Sequence, residues 1–240
     1  MSRLVASGVR KRFGGLHAVD GVDLSIEPGE LVGLFGPNGA GKTTLFNLIA
    51  GAYYPDGGSI RFGDADVTRL PAFQRARMGI ARTFQVVRPF RALTVMENLL
   101  AVVASEGAAS RDPERAALQL LAEVGLAERA GDPAGSLTLG MLKRFEVARA
   151  LMVAPRLILL DEPLAGLTDK ESAMMLALIQ SVRARGAVVM VEHNVRLALP
   201  LCDRAVVMEA GKIIAQGTPA QIRSNEAVIR AYLGDRPEGA

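Results

Sequence analysis

The sequence feature that most constrains the fold is a glycine-rich stretch between two apolar segments. It consists of Gly36-Pro37-Asn38-Gly39-Ala40-Gly41-Lys42-Thr43-Thr44. The apolar run 31–35 precedes it and the apolar segment 45–49 follows it, as expected for a strand, a turn and the start of a helix. The stretch matches the pattern G-x-x-x-x-G-K-[ST], in which glycines allow positive φ and bring backbone N–H groups close to a phosphate. The sequence therefore predicts a site for a nucleoside triphosphate, and we call residues 36–44 the phosphate loop.

Each part of the phosphate loop has an expected role. Successive backbone N–H groups form a concave anion site, and the positive end of the following helix reinforces it. We expect Lys42 to reach the β- and γ-phosphates, Thr43 to place its hydroxyl on Mg²⁺, and Thr44 to donate to another phosphate oxygen. The alternative is a glycine-rich turn that ends in Lys-Thr by chance, and the flanking strand and helix argue against it.

Length, charge and cysteine usage limit the classes of protein that fit. A chain of 240 residues, half of them apolar, suits one large α/β domain, with or without an inserted subdomain. The net charge of +3 is spread along the chain, which does not indicate nucleic-acid binding. The lone Cys202 cannot form an internal disulfide, so we expect a buried thiol and a reducing compartment. No signal-peptide pattern or membrane-spanning apolar run is visible, so we expect a soluble protein that docks on a membrane partner.

Hydrophobic patterns divide the chain into three kinds of segment. Alternation from Val22 to Ile26 predicts a half-buried antiparallel strand, whereas 157–161 and 187–191 are continuous apolar runs typical of buried parallel strands. From Thr94 to about Val153 the pattern is helical, and Thr94-Val95-Met96-Glu97 has the spacing of a capping box. A further strand is predicted for 80–84 and a helix for 169–185. The expected architecture is a single α/β domain spanning 1–240. Its core comprises 1–85 and 151–233, its inserted all-helical subdomain 86–150, and its loose tail 234–240.

Two acidic residues stand at the end of the predicted strand 157–161. Asp161 at the strand end is expected to hold Mg²⁺ through water, and Glu162 to orient or deprotonate the water that attacks the γ-phosphate. Side chains of adjacent strand residues point to opposite faces, so both acids can line one site only if the strand ends here. Pro163 fits that ending. The alternative is two surface acids after a strand.

Three further residues are weaker candidates. Gln85, directly after a predicted strand, is expected to complete the Mg²⁺ shell or contact the attacking water. His193 is expected to donate a hydrogen bond to the γ-phosphate, although a lone histidine is more often structural. Phe13 is positioned to stack on a purine ring, although an isolated Phe is usually part of the core.

The order and spacing of these features resemble those of ABC-type ATPase subunits over nearly the whole chain. Six shorter runs are similar in sequence to the branched-chain amino acid importer ATPases, namely 79–85, 87–90, 93–99, 191–194, 202–204 and 211–219. The resemblance implies an α/β fold with a P-loop NTPase (RecA-like) core, an N-terminal antiparallel β subdomain and an inserted all-helical subdomain. It also implies that the chain is an ATPase that uses ATP and Mg²⁺.

The resemblance further implies a head-to-tail dimer that sandwiches two ATP molecules. Each ATP lies between the phosphate loop of one chain and a signature segment of the other. The family signature usually reads Leu-Ser-Gly-Gly-Gln, and the matching residues here are Leu137-Thr138-Leu139-Gly140-Met141. Thr138 and Gly140 keep a hydroxyl and a backbone N–H for the γ-phosphate, whereas Leu139 and Met141 depart from the pattern.

A second departure follows the strand acids. Thr168 stands where the family often has Asp, so it cannot supply that charge across the dimer. We therefore expect ATP hydrolysis with a weaker contribution from the partner chain than is usual.

The resemblance implies an ABC importer for branched-chain or related amino acids, in which ATP binding closes the dimer and hydrolysis reopens it. Its expected partners are transmembrane permease subunits, contacted by residues 86–100, and a second ATPase subunit, identical or different. A periplasmic solute-binding protein would act only indirectly, and the expected location is the cytoplasmic face of the inner membrane.

Two alternatives stay open. One is an exporter of lipid or lipopolysaccharide, whose ATPases have similar size and tails; the run Ala81-Arg82-Thr83-Phe84-Gln85 argues against it. The other is a soluble ABC ATPase acting on DNA or in translation, which would normally carry a coiled-coil insert or a second cassette. The transported solute cannot be read from the ATPase subunit.

Overall fold

The computed structural model describes residues 3–106 and 112–233. The strands within these residues are, in chain order, Leu4–Phe13 (β1), Leu16–Ile26 (β2), Leu31–Phe35 (β3), Gly57–Phe62 (β4), Ala65–Asp66 (β5), Ile80–Arg82 (β6), Leu157–Asp161 (β7), Ala187–Val191 (β8), Arg204–Glu209 (β9) and Lys212–Gly217 (β10). The α-helices are Lys42–Ala50 (α1), Ala72–Arg77 (α2), Val95–Glu106 (α3), Pro113–Glu123 (α4), Leu139–Leu151 (α5), Asp169–Val182 (α6), Val195–Ala198 (α7), Pro219–Arg223 (α8) and Glu226–Leu233 (α9). Parallel and antiparallel elements are thus combined in one α/β fold.

The strands form two sheets. An antiparallel sheet has the order β2-β1-β4-β5, and a six-stranded sheet has the order β10-β9-β3-β8-β7-β6. In the larger sheet β6, β7, β8, β3 and β9 run parallel, and β10 pairs antiparallel with β9. The carboxyl ends of the parallel strands therefore meet at one edge, the place where α/β proteins bind their ligands.

The central strands are apolar on both faces because each face covers a different core. On β3, Leu31 and Phe35 pack into the core shared with α3, α4, α5 and α6, whereas Val32 and Leu34 pack into the core that contains α1. The second core lies between the two sheets, since it also contains residues of β1, β2 and β4. Helix α1 is therefore enclosed by both sheets, which fixes the helix that follows the phosphate loop.

Gly33 on β3 explains the environment of the single cysteine. A Cβ at Gly33 would lie 2.7 Å from the Sγ of Cys202 and 2.3 Å from the ring of Phe35, so only glycine fits. Cys202 is buried, and burial raises the pKa of its thiol to about 12. The thiol is a core group, as the sequence predicted.

Helices α3, α4 and α5 occupy the segment for which the sequence predicted a helical insert. The start of α3 uses the predicted capping box, because Glu97 Oε2 accepts from the Thr94 backbone N–H at 2.7 Å and Thr94 Oγ1 accepts from the Glu97 N–H at 3.1 Å. Helix α5 contacts α6 and β6 as well as α3 and α4. The exact division at 86–150 stays a prediction, and the predicted tail 234–240 lies outside the described residues.

Two predicted element ends are shorter in the structure. The strand predicted for 80–84 ends at Arg82, because the Phe84 N–H turns to the carboxylate of Glu146 in α5. The helix predicted for 169–185 ends at Val182, and the residues that follow form a tighter turn with i to i−3 hydrogen bonds. No helix in the part of the chain described here has the length and apolarity needed to traverse a lipid bilayer.

Candidate active site

The phosphate loop joins β3 to α1, and at three positions its backbone has a conformation that favours glycine. Gly36, Gly39 and Gly41 have φ of 142°, 78° and 99°. A Cβ at Gly36 would lie 2.1 Å from the Met208 carbonyl oxygen, and one at Gly41 would lie 2.2 Å from the Ala18 carbonyl oxygen. Neighbouring strands therefore approach the backbone closely at both ends of the loop.

The start of α1 is prepared for an anion. Gly41 is the N-cap residue and has no side chain with which to cap the helix. The N–H groups of the first helical turn have no partner inside the helix, and they carry the positive end of its dipole. Phosphate oxygens are suited to this position.

Lys42 lies folded over the loop. Its Nζ donates to the carbonyl oxygens of Gly36 at 2.7 Å and Pro37 at 2.9 Å. Burial lowers the pKa of Lys42, and the negative charge of Glu162 opposes that shift. Because both bonded partners are neutral and an ammonium has three donors, the group can still donate to an anionic ligand.

Asp161 ends β7 at the carboxyl edge of the sheet. Its side chain is buried, and its backbone N–H donates to Thr83 Oγ1 at 3.1 Å. Burial raises the pKa of Asp161, whereas the Arg82 guanidinium, with Nη2 3.7 Å from Oδ2, opposes the rise. The carboxylate therefore faces a neighbouring positive charge.

Glu162 shares the site with Asp161 because the backbone changes direction between them. Its φ is +47°, which is the left-handed region and ends the alternation of side chains along the strand. Both acids can line one site only if the strand ends between them. The left-handed conformation of Glu162 provides that ending, one position before Pro163.

The Glu162 carboxylate is held by two other predicted residues. Gln85 Nε2 donates to Oε2 at 2.9 Å, and His193 Nε2 lies 3.0 Å from Oε1. Gln85 follows β6 and His193 follows β8, so the two neighbours of β7 each supply one partner. The three side chains form a connected group at the strand ends.

Two supporting residues were not predicted from the sequence. Lys143 Nζ donates to the Glu162 carbonyl oxygen at 2.6 Å, and Glu192 Oε1 accepts from the Leu164 N–H at 2.7 Å. Both side chains are buried, and burial lowers the pKa of Lys143 and raises the pKa of Glu192. Glu192 had a usable signal, since it directly follows a buried strand as Glu162 does. Lys143 had none, because its partner lies 19 residues away.

The predicted magnesium residues line one cavity of about 460 Å³, which is shared by Thr43, Gln85 and Asp161. Hydroxyl, amide and carboxylate oxygens suit Mg²⁺, which usually takes its remaining ligands from water and phosphate. No group of three His, Cys, Asp or Glu side chains suited to a metal occurs in 3–106 and 112–233. The donor set therefore fits a magnesium ion bound together with a triphosphate.

Phe13 lies apart from these residues on the surface. Its side chain is 44% exposed, its ring contacts Tyr53 edge-on at 5.4 Å, and Lys11 Nζ lies 5.5 Å from the ring centroid. The aromatic pair leaves ring surface open to solvent. Stacking on a purine base stays a prediction.

The signature residues begin α5. Thr138 is the N-cap residue, and its Oγ1 accepts from the Met141 N–H at 3.4 Å. Leu139 is exposed, whereas Gly140 is buried so closely against Glu171 that a Cβ would lie 2.3 Å from its Oε1. The contacts described for these residues lie within α5 and with Ala134, Gly166 and α6, and none joins them to the phosphate loop of the same chain.

Thr168 has a local role at the start of α6. It forms a reciprocal capping box with Glu171, in which the Thr168 hydroxyl donates to Glu171 Oε2 at 2.8 Å. Glu171 therefore contacts both Thr168 and the signature glycine. The two places where the chain departs from the family pattern are adjacent in space.

Family models match most of the chain. A model described as ABC transporter matches residues 19–165, and one described as Branched-chain amino acid ATP-binding cassette transporter matches residues 212–238. The chain is 43% identical to the high-affinity branched-chain amino acid transport ATP-binding protein BraF of Pseudomonas aeruginosa, over 98% of this chain and 100% of the relative. It is 42% identical to LivG of Escherichia coli, which has the same description, over 97% and 98%. It is also 39% identical to the lipopolysaccharide export system ATP-binding protein LptB of Escherichia coli, over 98% of each chain.

Solved structures with the same fold include two informative cassettes. The ADP conformation of MJ1267, an ATP-binding cassette of an ABC transporter, has a TM-score of 0.89 at 30% identity, covering 98% of this chain and 100% of the other. The dimeric post-hydrolysis state of the cassette MJ0796, bound to ADP and phosphate, has a TM-score of 0.79 at 26% identity, covering 90% and 98%.

Proposed function

This chain belongs to the ABC transporter family of ATP-binding subunits, and on that premise we propose that it powers an importer of branched-chain or related amino acids. The observation that carries the proposal is the position of Glu162, held between Gln85 and His193 at the strand edge that also presents Asp161. A carboxylate so held can orient a water molecule for attack. ATP hydrolysis by such a subunit supplies the free energy for transport.

In the proposed reaction, the triphosphate lies on the phosphate loop with Lys42 and the first-turn N–H groups of α1 against its oxygens. Glu162 orients the attacking water and accepts its proton as the new bond to the γ-phosphorus forms. The bond between the γ-phosphorus and the bridging oxygen breaks, which gives ADP and phosphate. His193 and Gln85 fix the carboxylate and contact the γ-phosphate side of the site. Mg²⁺, held near Thr43, Gln85 and Asp161, would neutralise phosphate charge.

The proposed active form is a head-to-tail dimer with a second ATPase subunit. The start of α5 is partly exposed, with Leu139 49% exposed, and it makes no described contact with its own phosphate loop. Thr138 and Gly140 are therefore proposed to complete the site of the partner chain. The dimeric state described for MJ0796 supports this arrangement.

The proposed contact with the permease lies beside Gln85. An apolar cavity of about 330 Å³ is lined by residues that include Phe73, Phe84, Val102 and Ala150. Exposed Val86 and Phe90 extend the apolar surface along the predicted contact segment 86–100. A helix of a permease subunit bound here would place the chain peripherally on the cytoplasmic face of the inner membrane, with any periplasmic solute-binding protein acting only through the permease.

The C-terminal family model and the relatives BraF and LivG support an importer rather than an exporter. The identity to LptB, 39% against 43% for BraF, keeps lipopolysaccharide export as the second candidate. Reconstitution distinguishes them. Vesicles that contain this chain and its co-purifying permease subunits should take up leucine when ATP is supplied, which would support import. Extraction of lipopolysaccharide driven by ATP, without leucine uptake, would show that the system is an exporter.

The catalytic assignment is tested with Glu162→Gln. We expect the rate of ATP hydrolysis to fall by about 100-fold or more, because the variant cannot accept a proton, whereas the Kd for ATP changes little. Glu128→Gln, which changes an exposed glutamate, is the matched control and should hydrolyse ATP at the normal rate. Undiminished steady-state hydrolysis in Glu162→Gln would refute the role of Glu162.

A further inference from the structure

The C-terminal helix makes a direct hydrogen bond to the phosphate loop. The Gly36 N–H donates to the hydroxyl oxygen of Tyr232 in α9 at 2.7 Å, although the two residues are 196 positions apart. Gly36 is the first residue of the loop, and its carbonyl oxygen accepts from Lys42 Nζ at 2.7 Å. The same residue is therefore bonded on one side by the C-terminal helix and on the other by the phosphate-binding lysine.

The hydrogen bond to Tyr232 satisfies and orients the peptide of Gly36. Gly36 lies one residue beyond β3, is buried, and has φ of 142°. Its peptide can turn freely because it has no Cβ, and a buried N–H without a partner is unfavourable. The Tyr232 hydroxyl satisfies that N–H and thereby fixes the direction of the peptide at the entrance of the loop.

Helix α9 is attached at both ends. At its start, Asn225 Oδ1 accepts from the N–H groups of Ala227 and Val228, and the Val228 side chain is buried in the core. At its last turn Tyr232 is 41% exposed overall, while burial around its hydroxyl raises its pKa and the Gly36 N–H opposes the rise. The ring is thus only partly covered, and the hydroxyl is the part of the side chain that reaches the loop.

We propose that Tyr232 is a positioning residue through which α9 sets the affinity of the phosphate loop for ATP. With the bond made, Gly36 holds the loop in the shape that Lys42 and the α1 N–H groups need. With α9 displaced, the Gly36 peptide is free to rotate and the loop binds triphosphate less tightly. The inference rests on the proposed ATP site and adds a means of regulating it, since anything that moves α9 changes ATP binding.

The coupling works in both directions. If docking of α9 favours ATP binding, ATP binding must favour docking of α9 by the same factor. This reciprocity separates a positioning role from a purely structural one. A bond that only stabilised the fold would give α9 no more protection by ATP than elements far from the phosphate loop receive.

The first test is Tyr232→Phe in the full chain, which removes the hydroxyl and keeps the ring. We expect the Kd for ATP and the KM to rise about three- to tenfold, the range expected for one lost hydrogen bond, with kcat at saturating ATP within about twofold. Tyr54→Phe, at another half-exposed tyrosine, is the matched control and should bind ATP normally. Equal ATP affinity in Tyr232→Phe and the unaltered chain overturns the inference.

The second test measures amide hydrogen exchange in α9 with and without ATP. In the unaltered chain, ATP should slow exchange across 226–233, and in Tyr232→Phe this protection should be lost. Exchange in α9 that ATP does not alter in the unaltered chain overturns the inference. Failure of the unaltered chain to bind ATP would instead refute the phosphate-loop assignment and, with it, this coupling.

Discussion

At the scale of single residues, Glu146 shows how a buried charge links the helical region to the site. Its carboxylate lies on α5, pairs with Arg149 at 2.5 Å and accepts the Phe84 N–H just before Gln85. Burial raises its pKa, and the charge of Arg149 opposes the rise. The ionised carboxylate therefore fixes the segment that carries Gln85 at a cost in desolvation.

The raised pKa of Glu146 predicts a pH dependence of stability. Between its ordinary value of 4.5 and its higher folded value, the folded chain binds the proton more tightly than the unfolded chain. The contribution of this group to the free energy of unfolding is therefore greatest below pH 4.5 and declines as the pH rises through the folded pKa. In Glu146→Gln this decline should be absent, so urea unfolding at several pH values should show the unaltered chain losing about 1.4 kcal/mol relative to the variant for each unit of pKa shift.

Glu128→Gln, at an exposed position, provides the comparison for this measurement and should follow the unaltered chain at every pH. Parallel stability profiles for Glu146→Gln and the unaltered chain would contradict the prediction.

At the scale of elements, α1 is held at the end opposite the phosphate loop by a buried arginine. Arg75 Nη1 donates to the carbonyl oxygens of Leu48 at 2.6 Å and Ile49 at 2.8 Å, at the C-terminal end of α1. Its side chain is fully buried, and burial lowers its pKa to about 10. A positive charge at this end complements the helix dipole, whose positive end faces the phosphate site.

Replacing Arg75 by Met should remove this donor from the buried Ile49 carbonyl oxygen and leave the Leu48 carbonyl oxygen with only the Gly51 N–H, at 3.3 Å. We expect the free energy of unfolding to fall by about 2–4 kcal/mol, measured by urea denaturation. Arg69→Met removes an exposed arginine nearby and should change it by less than about 0.5 kcal/mol. A loss in Arg75→Met no larger than in the Arg69 variant would show that Arg75 does not support α1.

Local patterns were sufficient for the elements that carry the chemistry. The phosphate loop, the continuous apolar strands and the Thr94 capping box each depend on residues within a few positions, and all three have the predicted structure. Contacts such as Tyr232 to Gly36 depend on how distant elements pack, and no local pattern specifies them. The roles assigned to Phe13 and the signature segment stay predictions, since both concern groups outside this chain.

At the scale of the whole molecule, the proposed head-to-tail dimer would divide every ATP site between two chains. A chain with Lys42→Ala lacks one half of the site, and a chain with Leu139→Glu, altered at an exposed residue, places a negative charge in the other half. Each variant alone should hydrolyse ATP at a few per cent of the normal rate or less. In a mixed dimer, one site combines the intact halves of both chains.

Mixing the two variants should therefore restore ATP hydrolysis, to about one quarter of the normal rate if chains pair at random and each site turns over independently. The rate is measured against each variant alone at the same total concentration. A mixture no more active than its components would argue that the signature segment does not act on a partner chain.

The left-handed backbone of Glu162 has a consequence for how such a chain changes over generations. For residues other than glycine this conformation costs about 1–2 kcal/mol, so glycine at this position would relieve strain and abolish turnover together. Selection for folding alone would thus favour loss of the acid. A lineage released from transport is therefore expected to drift toward more stable chains that no longer hydrolyse ATP.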